Sequence, residues 1–118
     1  MTRRFITSVP GLAHPPSPIS QAVGVGSHCY VSGQLSVAPN GRFVAGSAAA
    51  EAERAFRNVF AVLAAAGFTP AALVYVDIAF VDLAGVTAVN TLYAALFPEG
   101  RRPARTIYQA GRSRTVVA

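Results

Sequence analysis

The sequence predicts a single α+β domain over residues 1–118, a mixed sheet with two helices packed on one of its faces. Three observations carry this reading. Residues 47–66 repeat apolar side chains at helical spacing, and residues 73–81 alternate with the period of a strand. The remaining apolar runs are short and bounded by Gly or Pro. A chain of 118 residues can bury well over half of its unfolded surface, enough for a core of its own.

The first 20 residues are rich in Pro, Ser and Gly and close on Pro15-Pro16-Ser17-Pro18. They read as a stiff extended arm, because each proline fixes φ and keeps its predecessor out of helix. Ala22–Val25 and residues 29–35 hold β-branched and aromatic residues on either side of a Gly-Ser break, the pattern of a hairpin. Pro39-Asn40-Gly41 signals a turn, with Phe43 and Val44 as a further short strand. Ser47 is the N-cap of the first helix, in which Phe56, Val59, Phe60 and Leu63 recur, and Gly67 ends it. In the strand at 73–81, Val74, Val76, Ile78 and Phe80 share one face, and Tyr75, Asp77 and Ala79 the other. Asp82 caps a second helix over 83–96, whose buried side holds Val86, Val89, Tyr93 and Leu96 or Phe97, and Pro98 stops it. After a loop at 99–103, Ala104–Gln109 forms a strand carrying Arg105, and residues 115–117 a final stub. With both helices on one face, the opposite sheet face has no cover within the chain. Self-association supplies it.

Composition excludes several classes. With 53% hydrophobic and 13% charged residues, the chain is not disordered. Its formal charge is +5, yet it has no Lys, so Schiff-base and P-loop lysine chemistry are both excluded. The arginines fall in pairs (Arg3–Arg4, Arg54 and Arg57, Arg101–Arg102, Arg112 and Arg114), and the terminal pairs and the loop pair sit near chain ends and turns, which speaks against a nucleic-acid partner. Cys29 is the only cysteine, and His14 and His28 lack nearby carboxylates, so no disulfide, metal or cofactor is expected. No apolar stretch reaches the ~20 residues of a membrane span, and no signal peptide is evident. A soluble, cytoplasmic protein is expected.

The acids offer no local catalytic signature. Glu51 and Glu53 lie on the first helix, Asp82 caps, and Asp77 sits mid-strand, where an ion pair or an interface suits it better than general-base work. No Ser-His-Asp or Cys-His order stands out. The segment Arg102-Pro103-Ala104-Arg105-Thr106 changes the picture, because it resembles the Pro-Ala-Arg motif of the RidA/YjgF family of enamine/imine deaminases. Other landmarks follow in order: Ser20-Gln21-Ala22-Val23, Ser32-Gly33-Gln34, Asn58-Val59 with Val62-Leu63 and Ala66-Gly67, and Val89-Asn90 with Tyr93 and Phe97. The resemblance implies a chorismate-mutase-like fold, a homotrimer, and ligand sites between subunits. It further implies hydrolysis of 2-enamine or 2-imine acids to 2-keto acids and ammonia. Arg105 would clamp the ligand carboxylate, with Ile19, Ser32, Gly33, Asn90 and Ile107 around it. The partner is then a small carboxylate-bearing imine, enamine or keto acid.

The chain also departs from that family. Ile19, in Pro18-Ile19-Ser20, stands where the deaminases carry a tyrosine, and Ile107 where they often carry a cysteine. Their catalytic glutamate lies on a last strand beyond the motif arginine, whereas no acid follows Glu99 here. The tail Gly111-Arg112-Ser113-Arg114 lacks the usual Leu-Pro turn and reads as shortened. The catalytic, water-activating residue is therefore unknown. Plainer roles stand beside each assignment: Arg105 in a subunit salt bridge, Ser32 and Gly33 in a strand-end turn, Asn90 bonded to backbone, Tyr93 in the core. Two functional readings follow, a deaminase and a non-catalytic binder of small carboxylates. RNA cleavage, also attached to this family, gains little from arginines so scattered.

Overall fold

The computed structural model describes residues 2–111 and the backbone of 116–117. In chain order the elements are β1 Arg3–Ile6, β2 Ala22–Val25, β3 His28–Val31, α1 Ala48–Ala65, β4 Tyr75–Phe80, α2 Val86–Leu96, β5 Ala104–Gln109 and β6 Val116–Val117. Residues 112–115 and 118, which hold most of the tail thought to be shortened, lie outside the described residues.

Helix α1 forms as its sequence demands. The Ser47 side chain accepts from the Ala50 N–H, a cap typically worth about 1 kcal/mol. At the other end Gly67 takes φ +90°, a conformation only glycine adopts without strain. Phe68 N–H then donates to Leu63 O at 2.8 Å and Gly67 N–H to Ala64 O at 3.1 Å, closing the helix in a Schellman turn. The Pro39-Asn40-Gly41 turn also forms, with Asn40 Oδ1 accepting from Arg42 N–H at 2.9 Å.

Five local expectations need correction. The arm is not a free extended segment throughout, for its start, Arg3–Ile6, is a strand paired antiparallel with β2; its first proline comes only at Pro10, so nothing bars a ladder there. Strand β3 stops at Val31, with Ser32 Oγ donating to Ser20 O just beyond it, and Phe43 pairs with Val37 in an isolated bridge and not in a strand. The strand expected at 73–81 begins at Tyr75, after a 3-10 turn over Pro70–Ala72, which leaves Val74 79% exposed instead of in the core. Asp82 caps a 3-10 turn over Leu83–Gly85, accepting from Ala84 N–H at 2.9 Å, and α2 proper starts at Val86.

The larger correction concerns the sheet. Among the described residues the strands form two three-stranded sheets in the orders β1-β2-β3 and β5-β4-β6. Pairing is a non-local choice that strand patterns leave open. The first sheet is an antiparallel meander. In the second, β4 and β5 run parallel and are joined through α2, the crossover that a parallel pair requires; β6 pairs antiparallel on the other side of β4. Helix α1 ties the two sheets together. Its Val62 packs with Ala22 of the first and Val9 of the connection after β1, while Ala52, Ala55, Phe56, Val59 and Leu63 pack with Val76, Ile78 and Phe80 of the second. Val89, Tyr93 and Phe97 close that larger core from α2 and its end. No helix among the described residues is long and apolar enough to cross a membrane.

Candidate functional site

The β-α-β crossover decides what Arg105 meets. In the parallel register Arg105 lies opposite Val76 and Ile107 opposite Ile78, so both share the face that carries the core. Helix α2 covers that face beside β5. Its residues Asn90 and Tyr93, one turn apart, face the strand together. Arg105 Nη2 donates to Asn90 Oδ1, and the guanidinium carbon stands 4.7 Å from the Tyr93 ring centroid. That spacing is a cation–π contact, attractive through the ring quadrupole.

Tyr93 is buried, and its hydroxyl donates to Pro103 O at 2.8 Å, just ahead of the strand. Its ring meets Phe97 at 4.9 Å and Phe56 at 6.1 Å, so the core holds it from behind. Burial pushes the Tyr93 phenol above its ordinary value of 10.0, and the Arg105 cation pulls part of the way back. At neutral pH the ring therefore keeps its proton and its bond to Pro103.

Arg105 is half-buried and has no acidic partner among the described residues. The one ion pair among the described residues joins Arg57 to Glu53 at 2.8 Å on α1. Glu51 Oε2 accepts from Gly46 N–H, Asp82 caps its turn, and Asp77 points to the opposite side of β4. Two grooves of about 290 and 380 Å³ open elsewhere, one lined by Gly46, Glu51, Phe80 and Asp82, the other by Leu73, Val74, Arg101 and Pro103. Neither is lined by Arg105.

The six residues expected at the site fall into two groups on two different sheets. Arg105, Asn90 and Ile107 belong to the β5–α2 side, where Ile107 packs partly against the core. Ile19, Ser32 and Gly33 belong to the first sheet. Ile19 is 52% exposed just ahead of β2, and Ser32 and Gly33 directly follow β3. Ser32 Oγ donates to Ser20 O at 2.7 Å, and Gln34 Nε2 donates to Gln21 Oε1 at 3.0 Å, so the two Gln-bearing motifs clasp one another. Asn58 of α1 holds the next loop, donating to Leu35 O and Val37 O. Among the described residues no hydrogen bond joins the two groups. Tyr93 is in the core as the sequence reading favours, and it also offers its ring to Arg105, a contact that its spacing of three from Asn90 could have signalled.

Comparisons with known proteins agree with this architecture. The family model described as Endoribonuclease L-PSP matches residues 12–116. Human 2-iminobutanoate/2-iminopropanoate deaminase (Homo sapiens) is 37% identical over 93 residues, covering 78% of this chain and 67% of that protein. The goat protein of the same name (Capra hircus) is 36% identical over 110 residues, covering 92% and 79%. Among solved structures, RidA from the Antarctic bacterium Psychrobacter sp. PAMC 21119 matches with a TM-score of 0.87 at 28% identity, covering 97% of this chain and 95% of that one.

Proposed function

The chain belongs to the endoribonuclease L-PSP family, that of the RidA and YjgF proteins, and on that premise we propose that it hydrolyses reactive 2-imine and 2-enamine acids to 2-keto acids and ammonia. One observation carries the site. The Arg105 guanidinium is held by a neutral amide and a ring face, so its positive charge is left for an outside anion. A carboxylate suits the planar fork and can take two of its remaining N–H groups.

With the carboxylate held, the adjacent iminium carbon is the electrophile. Water adds to it to give an amino alcohol, and an oxygen lone pair then forms the second C–O bond of the ketone as the C–N bond breaks. Nitrogen leaves as ammonium, taking up the protons that water gives up.

The second group, Ile19, Ser32 and Gly33, completes this site from a neighbouring copy in a homotrimer. Support comes from the sheet faces turned away from the helices. Phe5, Val23 and Tyr30 form one cross-strand row there, with Phe5 59% and Tyr30 68% exposed. Tyr75 and Tyr108 stand exposed on the corresponding face of the second sheet. Aromatic surface on this scale in a small domain marks an association face.

A second reading, a non-catalytic binder of small carboxylates, draws support from the acids. None of Glu51, Glu53, Asp77, Asp82 and Glu99 is bonded to Arg105, so no carboxylate of these residues is at hand to activate water. One experiment separates the readings. 2-Aminoacrylate is generated in situ and its decay followed with and without the protein, on a sample whose mass is read by light scattering. Faster decay by a three-chain species supports the deaminase. Unchanged decay, with 2-keto acid still bound, supports the binder, and a one-chain mass removes the shared site.

A further inference from the structure

We infer that Asn90 and Tyr93 act as a neutral clamp that aims Arg105, and that Asn90 is a positioning residue and not a ligand contact. The inference rests on the reading of Arg105 as the carboxylate-binding group, and it concerns what makes that group effective.

The geometry has three parts. Asn90 takes one Nη2 proton, which fixes the rotation of the guanidinium about its stem. The guanidinium carbon stands over the Tyr93 ring, which limits how far the head can swing. Tyr93 also bonds Pro103 O, two residues before Arg105, so one side chain holds both the head of the arginine and the backbone that launches it. Tyr93 is in turn set by Phe56 and Phe97, which makes the clamp an extension of the core.

The chemistry of the partners matters as much as their places. An aspartate at position 90 could hold the guanidinium at least as firmly, but it would neutralise it. An amide oxygen orients without supplying a full charge, and a phenol ring does the same with its quadrupole. A carboxylate arriving from solution therefore meets an oriented, uncompensated cation and loses little entropy in finding it.

The test has two arms. The first needs no ligand: the Arg105 Nε–H signal is followed by NMR in the parent, in Asn90→Ala and in Tyr93→Leu. The parent signal is expected at a ring-shifted position and the Tyr93→Leu signal at that of a free arginine, with Asn90→Ala broadened or displaced. An Arg105 signal identical in all three overturns the inference. Should Tyr93→Leu fail to fold, Asn90→Ala decides this arm, because Asn90 is exposed on the surface of α2.

The second arm measures affinity for 2-ketobutyrate by calorimetry. Asn90→Ala is expected to lose about tenfold through misorientation. Asn90→Asp, nearly the same shape, is expected to lose more than Asn90→Ala, because it answers the charge. A merely structural Asn90 predicts the reverse order, and that order, or parent-like binding by Asn90→Asp, overturns the clamp. If the parent itself binds no 2-ketobutyrate while the NMR arm behaves as expected, the carboxylate reading falls and the orienting clamp stands.

Discussion

Arg4 and Arg105 occupy equivalent positions in the two sheets, each on a strand face that a helix covers, and they are used in opposite ways. Arg4 lies across Gly24 of β2, where an added Cβ would stand 2.8 Å from its Nη2, and it donates to Ala66 O at the end of α1, 3.4 Å away. A helix C-terminus carries partial negative charge, so this cation is answered within the fold. Arg102 is similarly used, donating to Phe97 O at 3.1 Å beyond α2. Arg105 meets an amide and a ring instead, and its charge is not answered. Both arginines bond neutral amide oxygens, and the difference is that Arg4's acceptor stands at a helix C-terminus with its partial negative charge; on the proposed reading Arg4 serves the fold and Arg105 the ligand.

The largest expected effect breaks the comparison at Arg105. Arg105→Ala should abolish binding of 2-keto acids, a cost of roughly 3 kcal/mol or more. Arg105→Lys restores the charge without the fork and should recover only part of it. Thermal unfolding should barely move in either variant. Calorimetry over a panel of 2-keto acids measures the first, and a melting curve the second. Undiminished binding by Arg105→Ala, or its collapse as a fold, would make Arg105 a second Arg4.

That contrast could be read only in part from the sequence. Elements whose signals are local were legible: α1 is framed by its own Ser47 and Gly67, and β5 spans Ala104–Gln109 as its pattern indicates. Strand β1 was hidden because its four residues, Arg-Arg-Phe-Ile, are too few to display alternation, and their partner strand begins only at Ala22. Val74 was misplaced because alternation was carried back through the exit of a 3-10 turn. At the site, Arg105 and Asn90 were identified through motif resemblance, but the bond between them was not. It depends on how α2 docks beside β5, which no run of neighbouring residues encodes. The link between Ser32 and Ser20 escaped for the same reason.

An intermediate effect concerns the close approach of α1 to the start of α2. A Cβ on Gly85 would lie 2.5 Å from the Cβ of Ala48, a contact that side-chain rotation cannot relieve. Gly85→Ala should therefore destabilise by about 1–3 kcal/mol, the usual range for overpacking, as read by urea unfolding. Ligand affinity should be retained in the folded fraction. The same addition at Gly24 meets only the movable tip of Arg4, so Gly24→Ala should cost less. Equal losses at the two glycines would mean that Arg4 is held more rigidly than a helix-capping role requires.

The smallest effect tests Arg4 itself. Arg4→Met removes the helix-end contact and should cost about 0.5–1 kcal/mol, with no change in ligand affinity. The substitution has a second readout, because Gly24 separates Arg4 from Cys29 across the sheet. Burial pushes the Cys29 thiol above its ordinary value of 9.0, and the Arg4 cation pulls part of the way back. A group whose pKa is higher folded than unfolded contributes stability that is complete below the unfolded value and lost as pH rises through the folded one. Without Arg4 the folded value climbs further, so the gap widens and the alkaline loss of stability grows. The difference in stability between parent and Arg4→Met should therefore increase above about pH 9 and be constant well below it. As Cys29 is the only thiol, its alkylation rate against pH reports the same shift directly, and the variant's profile should lie to the alkaline side. Superimposable profiles would mean that the Arg4 charge is spent wholly on the end of α1 and does not reach across Gly24.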